Sequence, residues 1–321
     1  MTNRIRRLIP LFQLICLLTI VLGSSARAEP RWQAPEQQHH PLTGRIYDLN
    51  AGSFISETQL IVRLTATRQV LIGEKHDNPD HHQLEAKLLG LLLPQSGQGG
   101  AVFEMLERGQ QPILDRLAPT DSLDSIKQTL EWRDNGWPWA DYGPLFQATL
   151  QSGQPLIAGN LDRQQIKALY KDAATTTSTA YLQTVSSIAE PVRQRIHQQV
   201  YESHCELMPK EQLWPMVEIQ LAKDASMADA LLENSGQGRA LLVAGAYHVR
   251  KDRGVPLHLV ARDEQAKPAV LILQEVDGEQ LDPADYASAE QADYLWFTPR
   301  QPAEDHCAGL KAKFGNKAEK D

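Results

Sequence analysis

Six short runs of near-continuous apolar residues punctuate the chain, at 70–72, 101–103, 155–158, 240–244, 269–273 and 294–297. None alternates apolar with polar, as a strand with one wet face would, so each reads as a strand covered on both sides. Between them apolar residues recur at helical spacing over 80–93, 109–118, 122–132, 142–151 and 162–172. In the first of these Asp80 stands where a cap belongs, and Leu84, Leu88, Leu91 and Leu92 form the stripe. Alternating strands and helices predict an α/β fold: a large, mostly parallel sheet flanked by helices.

From 162 to 236 the rhythm changes, with Gln-, Ala- and Leu-rich helical segments divided by Pro191, Pro209 and Pro215 and no convincing strand. This stretch reads as a smaller all-helical subdomain inserted into an α/β body built from 29–161 and 237–310. The polar segments 29–44 and 311–321 read as loose, the second as a flexible tail.

Residues 1–28 are of a different kind. A basic start ending at Arg7 leads into an apolar run over 8–22, then Ala26-Arg27-Ala28. That is the layout of a cleaved secretory signal peptide. The run is broken by Pro10 and Gln13 and is short of the roughly 20 residues a membrane span needs. Ile15 precedes Cys16 where a lipoprotein signal would need a small residue, so a lipid anchor is not expected. The reading is an exported protein, periplasmic or associated with the envelope.

Composition follows from that division. The chain of 321 residues carries 32 Lys+Arg against 40 Asp+Glu; without the four arginines of the leader the body has 28 against 40, a net charge of −12. So acidic a body is unsuited to gripping a phosphate backbone, which excludes nucleic acid as the expected partner. Cys16 leaves with the leader, and in an oxidising compartment the remaining Cys205 and Cys307 predict one disulfide.

Candidate chemistry gathers where the strands end. The run at 70–72 leads into Gly73-Glu74-Lys75-His76, that at 101–103 into Glu104, that at 155–158 into Gly159-Asn160, and that at 240–244 into Gly245-Ala246-Tyr247-His248. Open α/β sheets bind ligands beyond the carboxyl ends of their strands. Two Gly-x-x-His turns would therefore bring imidazoles and carboxylates to one rim. There His76, Glu104 and His248 could serve general acid and base catalysis. Alternatively Glu74, His76, Glu104 and His248 could supply two imidazoles and a carboxylate to a divalent metal. Either would make a periplasmic hydrolase or metalloprotease. His81 and His82, near a helix start, read as a solvated face, and His39-His40 as surface. The aromatic group Trp132, Trp137, Trp139, Tyr142 and Phe146 reads as core beneath a loop, or as a pocket wall.

The segments VLIGEKHDNPDHH at 70–82, AVFEM at 101–105, WPWADYGPLF at 137–146, HCELMP at 204–209 and LLVAGAYHVRKDRGVPLHL at 241–259 together resemble the ChaN family. These are exported, iron-regulated haem-binding proteins within the Tiki/TraB/erythromycin-esterase-like superfamily, and the similarity spans about 41–310. The resemblance implies a parallel sheet with a smaller helical domain. It also implies haem as cofactor, a homodimer that stacks two haems face to face, and a tyrosine on each iron. Outer-membrane haem-uptake machinery is a candidate partner. In other branches of the superfamily the residues matching His76, Glu104 and His248 serve hydrolysis, which the resemblance does not imply for this branch.

Phenolate is a hard anionic ligand suited to ferric iron. Tyr170, Tyr181 and Tyr201 lie in the helical insert. Tyr201 and His204 are three residues apart and would share a helix face, so Tyr201 is the first expectation for the axial ligand. Arg193, Arg195 and Lys210 stand nearby in sequence for the propionates. An acidic body that binds a dianionic porphyrin predicts a basic patch on the insert.

Overall fold

The computed structural model describes residues 32–95, 97–134, 136–172, 180–303 and 305–311. The expected leader and residues 312–321 of the tail lie outside the described residues, as does the side chain of Tyr181.

All six apolar runs are strands of one eight-stranded sheet. They are β3 (Gln69–Glu74), β5 (Gly100–Glu107), β6 (Leu156–Asn160), β8 (Ala240–Gly245), β9 (Ala269–Glu275) and β10 (Tyr294–Thr298). The sequence pattern did not reveal β1 (Ile46–Asp48) and β2 (Ser53–Ile55), which add an antiparallel edge. Sheet order is β2-β1-β10-β9-β3-β8-β5-β6, with parallel pairing from β10 to β6. Two-residue strands β4 (Gly97–Gln98) and β7 (Gln237–Gly238) pair separately.

Alternate residues of the central strands feed opposite cores, which is why the runs had to be apolar throughout. Val70, Ile72, Phe103, Leu241 and Val243 pack with α1 (Glu57–Thr65), α2 (Pro79–Leu92), α4 (Leu123–Thr129) and α5 (Trp139–Gln151). Leu71, Val102, Leu242 and Ala244 face the other way, toward α8 (Trp214–Ser235), α9 (Ala246–Val249) and α10 (Val255–Arg262). The pattern expected at 109–118 yields only a four-residue helix, α3 (Gln111–Leu114). At the start of α2 the cap is Asn78, not Asp80; its side chain accepts from Asp80 N–H, and Pro79 opens the helix. Asp80 instead accepts the N–H groups of Gln33 and Ala34 at 2.8 and 3.0 Å, tying down a segment that reads as loose.

The helices α6 (Arg163–Lys171), α7 (Glu190–Ser203) and the first half of α8 enclose a third apolar cluster of their own, including Leu169, Ile196, Val200, Val217 and Leu221. Cys205, just past α7, is disulfide-bonded to Cys307. No helix among the described residues is long and apolar enough to cross a membrane.

Candidate functional site

Because β3, β8 and β5 are neighbours, their carboxyl ends place the polar residues side by side. Close approach is enforced at two glycines. A Cβ on Gly245 would lie 2.8 Å from His76 Nε2, and one on Gly73 would lie 2.9 Å from Ala246 Cα, so α9 folds tightly back over β3. His248 is thereby carried to Glu104.

Two polar groupings result. In the first, Glu74 accepts from His76 Nδ1 at 2.8 Å and from Tyr142 OH at 2.9 Å, while His82 Nδ1 stands 3.1 Å from its other oxygen. Burial works to raise the Glu74 carboxyl, but the bonds to His76 and His82 outweigh it and hold the group well below its ordinary value. His76 moves up despite burial, through its bond to Glu74, and its side chain is 41% exposed, which makes it the open face of the grouping. In the second grouping, Glu104 accepts from Gly245 N–H at 3.0 Å and lies 3.2 Å from His248 Nε2. Asp224, on α8, holds His248 Nδ1 at 2.5 Å from the other side. Burial opposes charge on His248, yet Glu104 and Asp224 push it up to about 10. Glu104 is itself held far down by His248 against the same burial. Asn160, at the end of β6, donates to the Glu104 carbonyl at 2.8 Å. A polarised imidazole between two carboxylates, beside an accessible one on its own carboxylate, has the parts needed to move a proton.

The residues proposed for the rim thus meet, as two adjoining groupings. Among the described residues, the three side chains whose ligand atoms all lie within 4.8 Å of one another are Glu74, His82 and Glu85. His81 and His82 are not a solvated face. His81 is fully buried, accepting from Lys75 N–H and bonded to Thr298, and burial drives it down to about 3. His40 is buried as well. Tyr142 belongs both to the core and to the site, its ring fully buried and its hydroxyl on Glu74.

A cleft of about 350 Å³ opens beside Glu104, walled by Trp132, Trp137, Leu130 and Ile166, with Arg133 and Arg163 on its lining. Trp137 meets the His76 ring edge-on at 4.7 Å. The tyrosines of the insert are spread apart. Tyr170, on α6, is 49% exposed. Tyr201 is half-buried against the insert's apolar cluster with Lys210 Nζ 5.8 Å above its ring. His204 turns back to the Val200 carbonyl at 2.7 Å. Arg193 is occupied by Glu218 and the Val185 carbonyl, whereas Arg195 reaches the Asp252 carbonyl at 3.4 Å. Arg250 and Arg253, on the body and not on the insert, both bind Asp252 and flank the exposed Tyr247 at 5.8 and 5.2 Å.

Asp224 and Glu85 are the functional candidates that sequence reasoning missed. A signal existed for Asp224, since its helix runs LAKDASMADALL, apolar or small on nearly every side. A helix buried all round must give its acid a partner.

A family model described as haem-binding uptake, Tiki superfamily, ChaN matches residues 60–259. No curated protein matches the chain. The solved structure reporting cofacial haem binding to ChaN of Campylobacter jejuni is 27% identical, with a TM-score of 0.66, over 78% of this chain and 95% of its own. The type III effector HopBA1 is 13% identical at a TM-score of 0.41, covering 75% of this chain and 92% of its own. RRSP, a MARTX toxin effector domain from Vibrio vulnificus CMCP6, is 13% identical at 0.40, covering 80% of this chain and 41% of its own. These last two bear on neither ligand nor mechanism.

Proposed function

The chain belongs to the ChaN family of haem-binding uptake proteins in the Tiki superfamily, and from that membership we propose that it is an exported protein that binds haem for iron uptake. A tyrosine phenolate holds the iron, and the working form is a dimer. The observation that carries this reading is the aromatic cleft with arginines on its lining. Trp132 and Trp137 offer apolar faces to a porphyrin, and Arg133 and Arg163 offer charge to its propionates. Tyr170 shares the α6 face of Arg163 and Ile166, three, then four residues on, and its phenol is exposed. It therefore replaces Tyr201, whose ring is engaged within the insert, as the favoured ligand. The cleft is open, and a second copy would close it, in keeping with the cofacial haem binding of the C. jejuni protein.

Titration of the apo-protein with hemin, followed by absorbance and analytical ultracentrifugation, tests both parts. The expected result is a saturable Soret shift with conversion to dimer, weakened by Tyr170→Phe and little changed by Tyr201→Phe. No shift refutes haem binding; loss only in Tyr247→Phe moves the ligand to the Arg250/Arg253 patch. Export is tested by mass spectrometry of the periplasmic fraction, where the mature chain should begin at Glu29.

The Asp224–His248–Glu104 arrangement favours a second reading, a hydrolase at the rim. Ester and peptide hydrolysis by wild type and His76→Ala decides it: equal rates remove it.

A further inference from the structure

His82 sets a problem that a proton alone does not solve. Its Nε2 faces the His76 carbonyl at 3.2 Å, and a carbonyl only accepts, so Nε2 carries hydrogen. In the neutral ring Nδ1 is then a bare lone pair, aimed at Glu85 Oε2 at 3.3 Å and Glu74 Oε2 at 3.1 Å. Three electron-rich atoms facing one another inside a protein require a cation among them. Protonating Nδ1 supplies one hydrogen bond, to Glu85. That single hydrogen must also answer Glu74 Oε2, 3.1 Å away, and it leaves Glu85 Oε1 buried without a hydrogen-bond partner and one net negative charge on the three groups. Glu85 is fully buried and Glu74 is 2% exposed, so water does not make up the difference.

We propose that Glu74, His82 and Glu85 form a site for one divalent first-row transition-metal ion. A divalent ion with neutral His82 and two carboxylates is charge-balanced. The Nδ1-to-oxygen separations of 3.1 and 3.3 Å match the edges of a coordination polyhedron with bonds of about 2.0–2.1 Å. The outer contacts are those of a ligand set. His82 Nε2 donates to a carbonyl, which fixes the tautomer, and Tyr142 OH and His76 Nδ1 hold the other oxygen of Glu74. One imidazole with two carboxylates suits Zn²⁺, Mn²⁺, Co²⁺ or Fe²⁺. The site is separate from the Glu104–His248 pair and stands whether or not the chain binds haem.

Haem-free protein purified without chelator should carry close to one equivalent of metal by elemental analysis. After stripping, it should take up one Co²⁺ with visible d–d absorption and a raised melting temperature. Glu85→Gln, which keeps the shape, should weaken uptake by at least about 100-fold, whereas His248→Gln, in the separate grouping, should retain it. If Glu85→Gln fails to fold by circular dichroism, Glu85→Asp serves instead and should shift the Co²⁺ spectrum. Wild type that binds neither Co²⁺ nor Zn²⁺ stoichiometrically overturns the proposal. So does metal lost in His248→Gln but kept in Glu85→Gln, which would place the ion at the rim.

Discussion

The proton on His248 makes a part of the stability depend on pH in a way that can be measured. Burial disfavours the imidazolium, but Glu104 and Asp224 raise the group from an ordinary 6.5 to about 10. Between these values the folded protein holds one proton that the unfolded chain has released. The contribution is therefore fully present below about pH 6.5 and is lost as pH rises toward 10, at about 1.4 kcal/mol per pH unit. Asp224, which burial pushes up to about 6 even beside His248, makes its own pH dependence below that value and leaves the alkaline window clear. From pH 7 to 9 the part due to His248 is about 2.7 kcal/mol. Other groups titrate over the same range, so the informative quantity is a difference between proteins. Urea unfolding at several pH values should show stability falling with pH in wild type. The fall should be shallower by about 1.4 kcal/mol per pH unit in His248→Gln. That variant should also be less stable by about 3–5 kcal/mol at pH 7, because Glu104 and Asp224 lose their common partner. Equal slopes in the two proteins, or a wild type that gains stability from pH 7 to 9, would refute the charge assignment.

Two further outcomes follow from the packing. Replacing Cys205 and Cys307 by Ser opens a loop with a sequence separation of 102, worth up to about 4.7 kcal/mol in the chain-entropy model. The melting temperature should fall by about 10 °C in calorimetry, and a fall under about 2 °C would contradict the reasoning. In Gly254→Ala the new Cβ would lie 2.0 Å from the His248 carbonyl oxygen, backbone that yields only if α9 moves. A loss of about 2–3 kcal/mol is expected from the urea midpoint, and an unchanged midpoint would show that α9 can shift freely.

The central sheet was legible because its strands are buried on both faces and so are written in apolar letters. β1 and β2 were not, since three residues each, such as IYD and SFI with Phe54 exposed, leave too short and mixed a pattern. The rim was legible for the same reason as the strands, because a polar residue after a buried run marks the sheet's edge. His82 and Glu85 were invisible to that logic. They lie on α2 at helical spacing among polar letters, and only the packing of α5 over them, with Tyr142 against the His82 ring at 4.9 Å, turns a wet-looking face inward. The pairing of Tyr201 with His204 was less legible: their spacing implied a shared face, but the helix ends at His204, whose ring folds back onto the turn before it.

One helix changes how the insert should be regarded. The first half of α8, with Val217 and Leu221, completes the cluster of the insert, and its second half, with Met227 and Leu231, lies against the sheet. Asp224 falls between the two. The insert and the body thus share a single rigid beam, and neither can be cut away without stripping an apolar face from the other. Excising 162–213 should expose half of α8 and leave an aggregating remainder rather than a smaller enzyme-like body. The same beam is a lever: a ligand that tilts the insert moves the carboxylate that holds His248, so occupancy at one end should register as an altered imidazole at the other.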